Sequence, residues 1–191
     1  MNNPGTAFKA VLLFSDMRPR IKWTDRKFEF TFPTGLYPEM MERLRGVPPR
    51  LEDHLKNLPA EILVMRHDGR WSMQENAGHL VDLESLTQRR IEEYVAGAPV
   101  LHAADMSNRR TYEANYNEVH STEILKAFRE LRTATIKRLD ELDDELFGRI
   151  ALHPRLNVPM RLVDLVFFTA EHDDYHLTRI AELSSLLANR S

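Results

Sequence analysis

The sequence predicts an all-α protein, a four-helix bundle with a long crossover connection and an irregular N-terminal extension. Three observations predict it. Four stretches beyond residue 33 carry apolar stripes at helical spacing. One of them opens with a capping box, Ser72-x-x-Glu75, the reciprocal side-chain and backbone bonding that starts a helix. No convincing alternation of apolar and polar residues marks a sheet, and amphipathic helices without a sheet must bury their stripes against one another.

Residues 1–33 read as irregular or weakly extended. "FKAVLLF" and "KFEFTF" are short strand-like runs, separated by "MRPRIKWTD" and closed by Pro33. The bundle is expected over residues 34–191. Its first helix begins at Tyr37, with Met40, Leu44, Leu51, Leu55 and Leu58 on one stripe. Gly46 and the pair Pro48-Pro49 should break or kink it, because proline lacks the N–H and crowds the preceding turn. A loop, "AEILVMRHDGR", leads to the capped second helix, which runs to about Val95, where "AGAP" stops it. Residues 96–117 form a long connection rich in Asn, Asp and Pro, of the kind that is functional or crosses between elements. The third helix spans about Ser121 to Leu142, with Ile124, Phe128, Leu131, Thr135 and Leu139 inward. After the turn "DDELFGRIALHPRLNVP" comes a fourth helix, about Met160 to Ala188, carrying Leu162, Leu165, Phe168, Ile180, Leu183 and Leu187.

Composition narrows the functions. Of 191 residues, 42% are hydrophobic and 29% charged, the balance of an ordinary globular protein. The net charge is −3 with the signs interspersed, so there is no basic stripe for a nucleic acid. Without cysteine there are no disulfides, thiolate ligands or cysteine nucleophile, which fits a reducing compartment. No apolar run reaches the roughly 18 residues a membrane span needs, and the amino-terminal stretch lacks a signal-peptide cleavage site. The expectation is a cytoplasmic protein.

"TAEHDDYHLTR" places His172 and His176 four apart on the fourth helix. At about 100° per residue they lie roughly 40° apart, on the side of Leu165, Phe168, Leu183 and Leu187. Two inward imidazoles one turn apart can take two corners of a metal's coordination sphere. They can equally be core histidines with their own hydrogen bonds. A third candidate, His79, stands in the second turn of the capped helix, facing inward with Leu83 and Leu86. The other histidines, 54, 67, 102, 120 and 153, fall in loops, at helix ends or on mixed faces and are set aside. A di-iron carboxylate site is excluded because no Glu-x-x-His occurs, and His-Glu-x-x-His is absent as well. Nor is there a G-x-S-x-G or a Gly-rich phosphate loop.

"RWSMQENAGHLVDLE", "HPRLNVPMRLVDLV" and "EHDDYHLTRI", in that order and spacing, resemble the DinB/YfiT-like superfamily of metal-binding four-helix bundles. The resemblance covers about residues 37 to 188. It implies that His79, His172 and His176 hold one divalent metal ion, zinc or nickel foremost, with iron, manganese or copper as further occupants. Two positions depart from the family pattern: Tyr175 stands where relatives often carry a histidine, and Arg179 where they often carry glutamine.

Three neutral imidazoles would leave the ion its full charge and an open position, the arrangement of catalytic rather than structural zinc. A water entering that position would be acidified, and a thiol ionised. Two reaction classes follow, hydrolysis of an amide or ester and transfer of a low-molecular-weight thiol to a small-molecule electrophile. The resemblance favours the thiol, bacillithiol, mycothiol or a glutathione type. The alternative is a non-catalytic metal- or ligand-binding or stress-response bundle. Glu75, Tyr175 and Arg179 are the candidates for catalytic work. Glu75 can be a fourth ligand or base, but the capping box already occupies it. Tyr175 can donate into the pocket or merely pack, and Arg179 can bind a substrate carboxylate or phosphate or pair with an acid. Asp82 and Asp173 can orient an imidazole, or be solvated surface acids, the simpler reading. A homodimer through a helix face is expected.

Overall fold

The computed structural model describes residues 20–188. The run "FKAVLLF", residues 8–14, lies outside them. α1 (Tyr37–Arg45) and α2 (Val47–Leu55) are the two halves of the expected first helix, separated at Gly46, with Pro in the first turn of α2. There proline costs nothing, since those N–H groups have no helical partner. α3 (Ala60–Leu63) is a single turn inside the segment expected to be loop. α4 (Met73–Val95) carries both halves of its capping box: the Glu75 N–H donates to Ser72 Oγ at 3.0 Å and the Ser72 N–H to Glu75 Oε2 at 2.9 Å. α5 (Arg109–Glu113) interrupts the long connection, α6 (Ser121–Asp140) follows, and α7 (Leu162–Ala188) ends the described chain.

A small sheet was not expected. β1 (Ile150–His153) and β2 (Val158–Arg161) pair antiparallel, His153 opposite Val158 and Ile150 opposite Arg161. Its burial alternates along β1, but four residues are too few for that period to stand out in the sequence. "KFEFTF" forms no strand. With no strand beside it among the described residues, it packs along α7 by its rings: Phe28 is 5.0 Å from Phe168 and Phe32 is 5.2 Å from Phe167, centre to centre. Its Phe32 carbonyl accepts from Arg161 Nη2 at 2.9 Å.

The core falls into two clusters. One gathers Met40, Leu44, Ile91, Tyr94, Leu139 and Leu165, the other Val47, Leu51, Leu80, Phe128, Ile180 and Leu183. Each long helix contributes to both, and the α1–α2 break at Gly46 falls at the same boundary. Between the clusters the helices turn buried polar residues inward. Arg132 of α6, 1% exposed, donates through Nε to Glu84 of α4 at 2.8 Å and through Nη1 to Asp173 of α7 at 2.6 Å. Thr135 Oγ1 donates to the second Glu84 oxygen at 2.6 Å. Burial alone would lower the Arg132 guanidinium, but the two carboxylates raise it above its ordinary value. Thus Arg132 takes the inward slot beside Leu131, which is only partly buried. Asp173, read as a surface acid, is buried, and burial pushes its carboxyl up to about 6 despite Arg132.

Removing one member of a buried ion network leaves its partners charged and unsolvated. Arg132→Met is expected to destabilise the fold by about 3–5 kcal/mol in urea unfolding. Adding Glu84→Gln and Asp173→Asn should recover much of that loss. A single variant as stable as the parent would show that the network carries no weight.

Candidate functional site

α4 and α7 lie against each other, and at the polar level their histidines meet. The ligand-capable nitrogens of His79, His172 and His176 all fall within 4.8 Å of one another. All three side chains are at most 9% exposed. Asn76, one turn before His79, gives its amide N–H to the Ser72 carbonyl at 2.7 Å, which turns Oδ1 toward His176 Nδ1 at 2.9 Å. Only a proton on His176 Nδ1 satisfies that contact, so His176 Nε2 carries the lone pair.

His79 is oriented by a relay from the long connection. Asp82 Oδ2 accepts from Thr111 Oγ1 at 2.8 Å. The hydroxyl proton being spent there, Thr111 Oγ1 accepts from His79 Nδ1 at 3.0 Å, which leaves the lone pair on His79 Nε2. Asp82 also accepts from Tyr116 Oη at 2.8 Å and pairs with Arg110 at 2.9 Å. It is buried, not the solvated acid its helix position suggested. Tyr116 reaches it because residue 78 is glycine: a Cβ there would stand 2.2 Å from the tyrosine ring.

His172 Nε2 and His176 Nε2 are 3.2 Å apart. Two lone pairs cannot face each other so closely, and either a proton on His172 Nε2 or a cation satisfies the pair. For nitrogens bonded at about 2.0–2.1 Å to one ion, this is the spacing of adjacent corners. The donor set therefore fits a divalent metal. Burial drives the His79 imidazole down to about 4 and holds His172 and His176 well below their ordinary value, so all three are neutral near pH 7.

The cluster opens on a cavity of about 720 Å³. Trp71, the hydrophobe before the cap, walls one side, 4.8 Å from His79 between ring centres. Trp23 walls another, edge-on to His172 at 4.9 Å. Tyr175 and Arg179 both line the cavity. The Tyr175 ring has Arg20 above it at 4.3 Å and meets the edge of His176 at 5.4 Å. Arg179 shares Glu182 with Arg20, at 3.4 and 3.2 Å. Glu75 is elsewhere. Burial alone would raise its carboxyl, but Arg66 and the Ser72 N–H hold it below the ordinary value. Its oxygens are spent on the arginine and the cap.

Sequence reading missed Asn76, Thr111 and Trp23. Asn76 had a signal, since it lies three residues before His79 on the same helix. Thr111 had none, because only the fold of the connection brings it to His79. His153, set aside as a loop histidine, is 1% exposed and lines the same cavity.

The family model described as the DinB superfamily matches residues 43–180. Among solved structures the chain is similar to YfiT from Bacillus subtilis, described as "a probable metal-dependent hydrolase with an unusual four-helix bundle topology". The TM-score is 0.75 at 20% identity, over 85% of this chain and 94% of that one. A protein from Streptococcus pneumoniae superposes with a TM-score of 0.60 at 14% identity, over 82% of this chain and 91% of that one. Such identities establish the shared fold. No curated protein sequence matches the chain.

Neutral buried histidines make metal-free protein acid-sensitive. The unfolded chain takes up protons below about 6.5, whereas folded His79 resists until about 4, so stability should fall as pH drops through that window and level off below it. Denaturant unfolding at several pH values measures this. In nitrogen-detected NMR near neutrality, His79 and His176 should carry their protons on Nδ1. A normal imidazole titration near 6.5 for His79 would contradict the burial argument.

Proposed function

The chain belongs to the DinB superfamily, and from that premise we propose that His79, His172 and His176 hold one divalent metal ion and serve a metal-dependent hydrolase or thiol transferase acting on a small organic molecule. The observation that carries this reading is the inward-facing lone pairs of His79 and His176 beside His172, at the wall of a cavity of about 720 Å³. Among the described residues no carboxylate belongs to the cluster. An ion held by neutral imidazoles would supply Lewis acidity and make a water or thiol in its open position a nucleophile near pH 7.

The chain's own residues do the rest. Asp82, through Thr111, holds the His79 ring and its tautomer, and Asn76 does the same for His176. Trp23 and Trp71 cover the imidazoles and limit water, which strengthens every charge interaction within. Arg179 and Tyr175 stand on the cavity wall beside His176, where substrate would be met. All-nitrogen ligation suits zinc or nickel, and also iron or copper. The name of the Bacillus relative supports hydrolysis, and the cavity has room for a thiol as well as an electrophile.

Protein purified without a histidine tag should take up one equivalent of zinc or nickel by elemental analysis, and His79→Ala, His172→Ala and His176→Ala should each abolish tight uptake. Wild-type protein that takes up less than half an equivalent on titration would refute the site. Thr111→Val removes the relay but no ligand, and is expected to weaken metal affinity by about 10–100-fold while the fold persists. For the reaction, metal-loaded protein is offered ester and amide substrates, and separately thiol–electrophile pairs. Acid release without thiol selects the hydrolase, thiol consumption the transferase. Tight metal binding with neither would leave a binding protein.

A further inference from the structure

Among the described residues, three buried side-chain polar atoms have no hydrogen-bond partner: Trp71 Nε1, His153 Nε2 and Arg155 Nη2. All three residues line the cavity of about 720 Å³ that His79, His172 and His176 also line. All three atoms are donors. The indole and guanidinium can only donate. His153 Nδ1 accepts from the Leu156 N–H at 3.2 Å, and burial pushes its imidazole down to about 4, so its single proton sits on the unpartnered Nε2. Buried donors are nearly always satisfied, and leaving one bare costs roughly 1–3 kcal/mol. Three around one cavity call for an acceptor-rich occupant.

Charge points the same way. Arg155 has neither a hydrogen bond nor an ion pair among the described residues. It is held by ring faces alone, 5.6 Å from Phe168 and 6.0 Å from Trp23. Arg90, 5% exposed, gives Nε and Nη2 to the His102 carbonyl at 2.9 and 2.8 Å and makes no ion pair with a carboxylate among the described residues. Burial lowers both guanidinium groups, Arg90 to about 10. Glu93, close enough to be felt by Arg90, is engaged by Arg89 and the His102 N–H. The acids on the cavity wall are spent too: Glu84 and Asp173 on Arg132, Asp105 on Ser107 and the Arg109 N–H. One buried cation, Arg90, and one half-buried cation, Arg155, thus stand at one corner without an ion-pair partner among the described residues, and removing an unpaired charge from water is expensive.

We propose that the His153–Arg155–Arg90 corner is a subsite for the oxyanion, carboxylate or phosphate, of an organic substrate whose apolar body lies along Trp23 and Phe168 toward the histidines. Trp23 touches both ends, with Arg155 over its ring and its edge against His172, so one small molecule spans the corner and the cluster. Arginine suits the task because its fork meets two oxyanion oxygens at once. The proposal deepens the functional reading and rests on it for what happens at the histidines, since the subsite binds with or without an ion.

The test titrates full-length protein, metal-loaded and chelator-treated, with benzoate, phenyl phosphate and neutral benzamide by calorimetry. One anion should bind about tenfold or more tighter than benzamide in both forms, and the tighter of the two identifies the oxyanion. Arg155→Met should erase the preference and Arg155→Lys keep part of it. Equal affinity for all three probes, no binding at millimolar concentration, or an unchanged preference in folded Arg155→Met would each overturn the subsite. The wild-type comparison stands even if the variant does not fold. Anion preference without metal uptake would sink the histidine reading and spare the subsite, while the converse would sink the subsite alone.

Discussion

One arginine holds the middle of this bundle. Arg132 rises from α6 into a level where α4 and α7 would otherwise meet through two like charges, and its planar fork bonds Glu84 on one and Asp173 on the other. Without that cation the carboxylates could not be buried together. With it, the rotation and height of α4 relative to α7 are set by hydrogen bonds of defined length. Hydrophobic contact alone would tolerate a slide by a fraction of a turn. His172 is the residue before Asp173, and His79 lies five before Glu84. The charge network and the histidine cluster are therefore aspects of one interhelical register.

The same polar level divides the apolar core in two, and the division is what makes room for a site. Above and below it, leucine, isoleucine and methionine fill the space between helices. At it, the helices present groups that must each find a partner, and most do. Asn76 binds His176, Thr111 binds both His79 and Asp82, and Thr135 binds Glu84. The donors without a partner among the described residues, on Trp71, His153 and Arg155, come from outside the helices, from residues that line the cavity. In a low-dielectric cleft a hydrogen bond made to such donors is stronger than the same bond in water.

Much of this was legible in the chain. The capping box located the start of α4 because both halves of that motif lie within four residues, and a helix started there must present His79 with Leu83 and Leu86. His172 and His176 were legible for the same reason, being one turn apart on an uninterrupted helix. The resemblance to a family added the expectation that these three meet. The two-stranded sheet was not legible because strands of four residues carry too little periodicity. Nor was the burial of Asp82, Asp173 and His153. A local pattern cannot reveal that an arginine forty residues away, or a threonine in a connecting segment, will arrive to satisfy an acid.

By itself the sequence determined where the long helices lie and which of their residues share a face, since caps, prolines and a period of 3.6 act within a few residues of themselves. It thereby determined that three histidines point inward. The tertiary structure decided what those histidines face. It set the tautomers of His79 and His176 through Thr111 and Asn76, closed the cluster with Trp23 from the N-terminal segment, and gathered Arg90, His153 and Arg155 at one corner of the cavity. Each of those contacts joins residues far apart in the chain. Their energies come from desolvation and hydrogen-bond satisfaction, which exist only once the helices have packed.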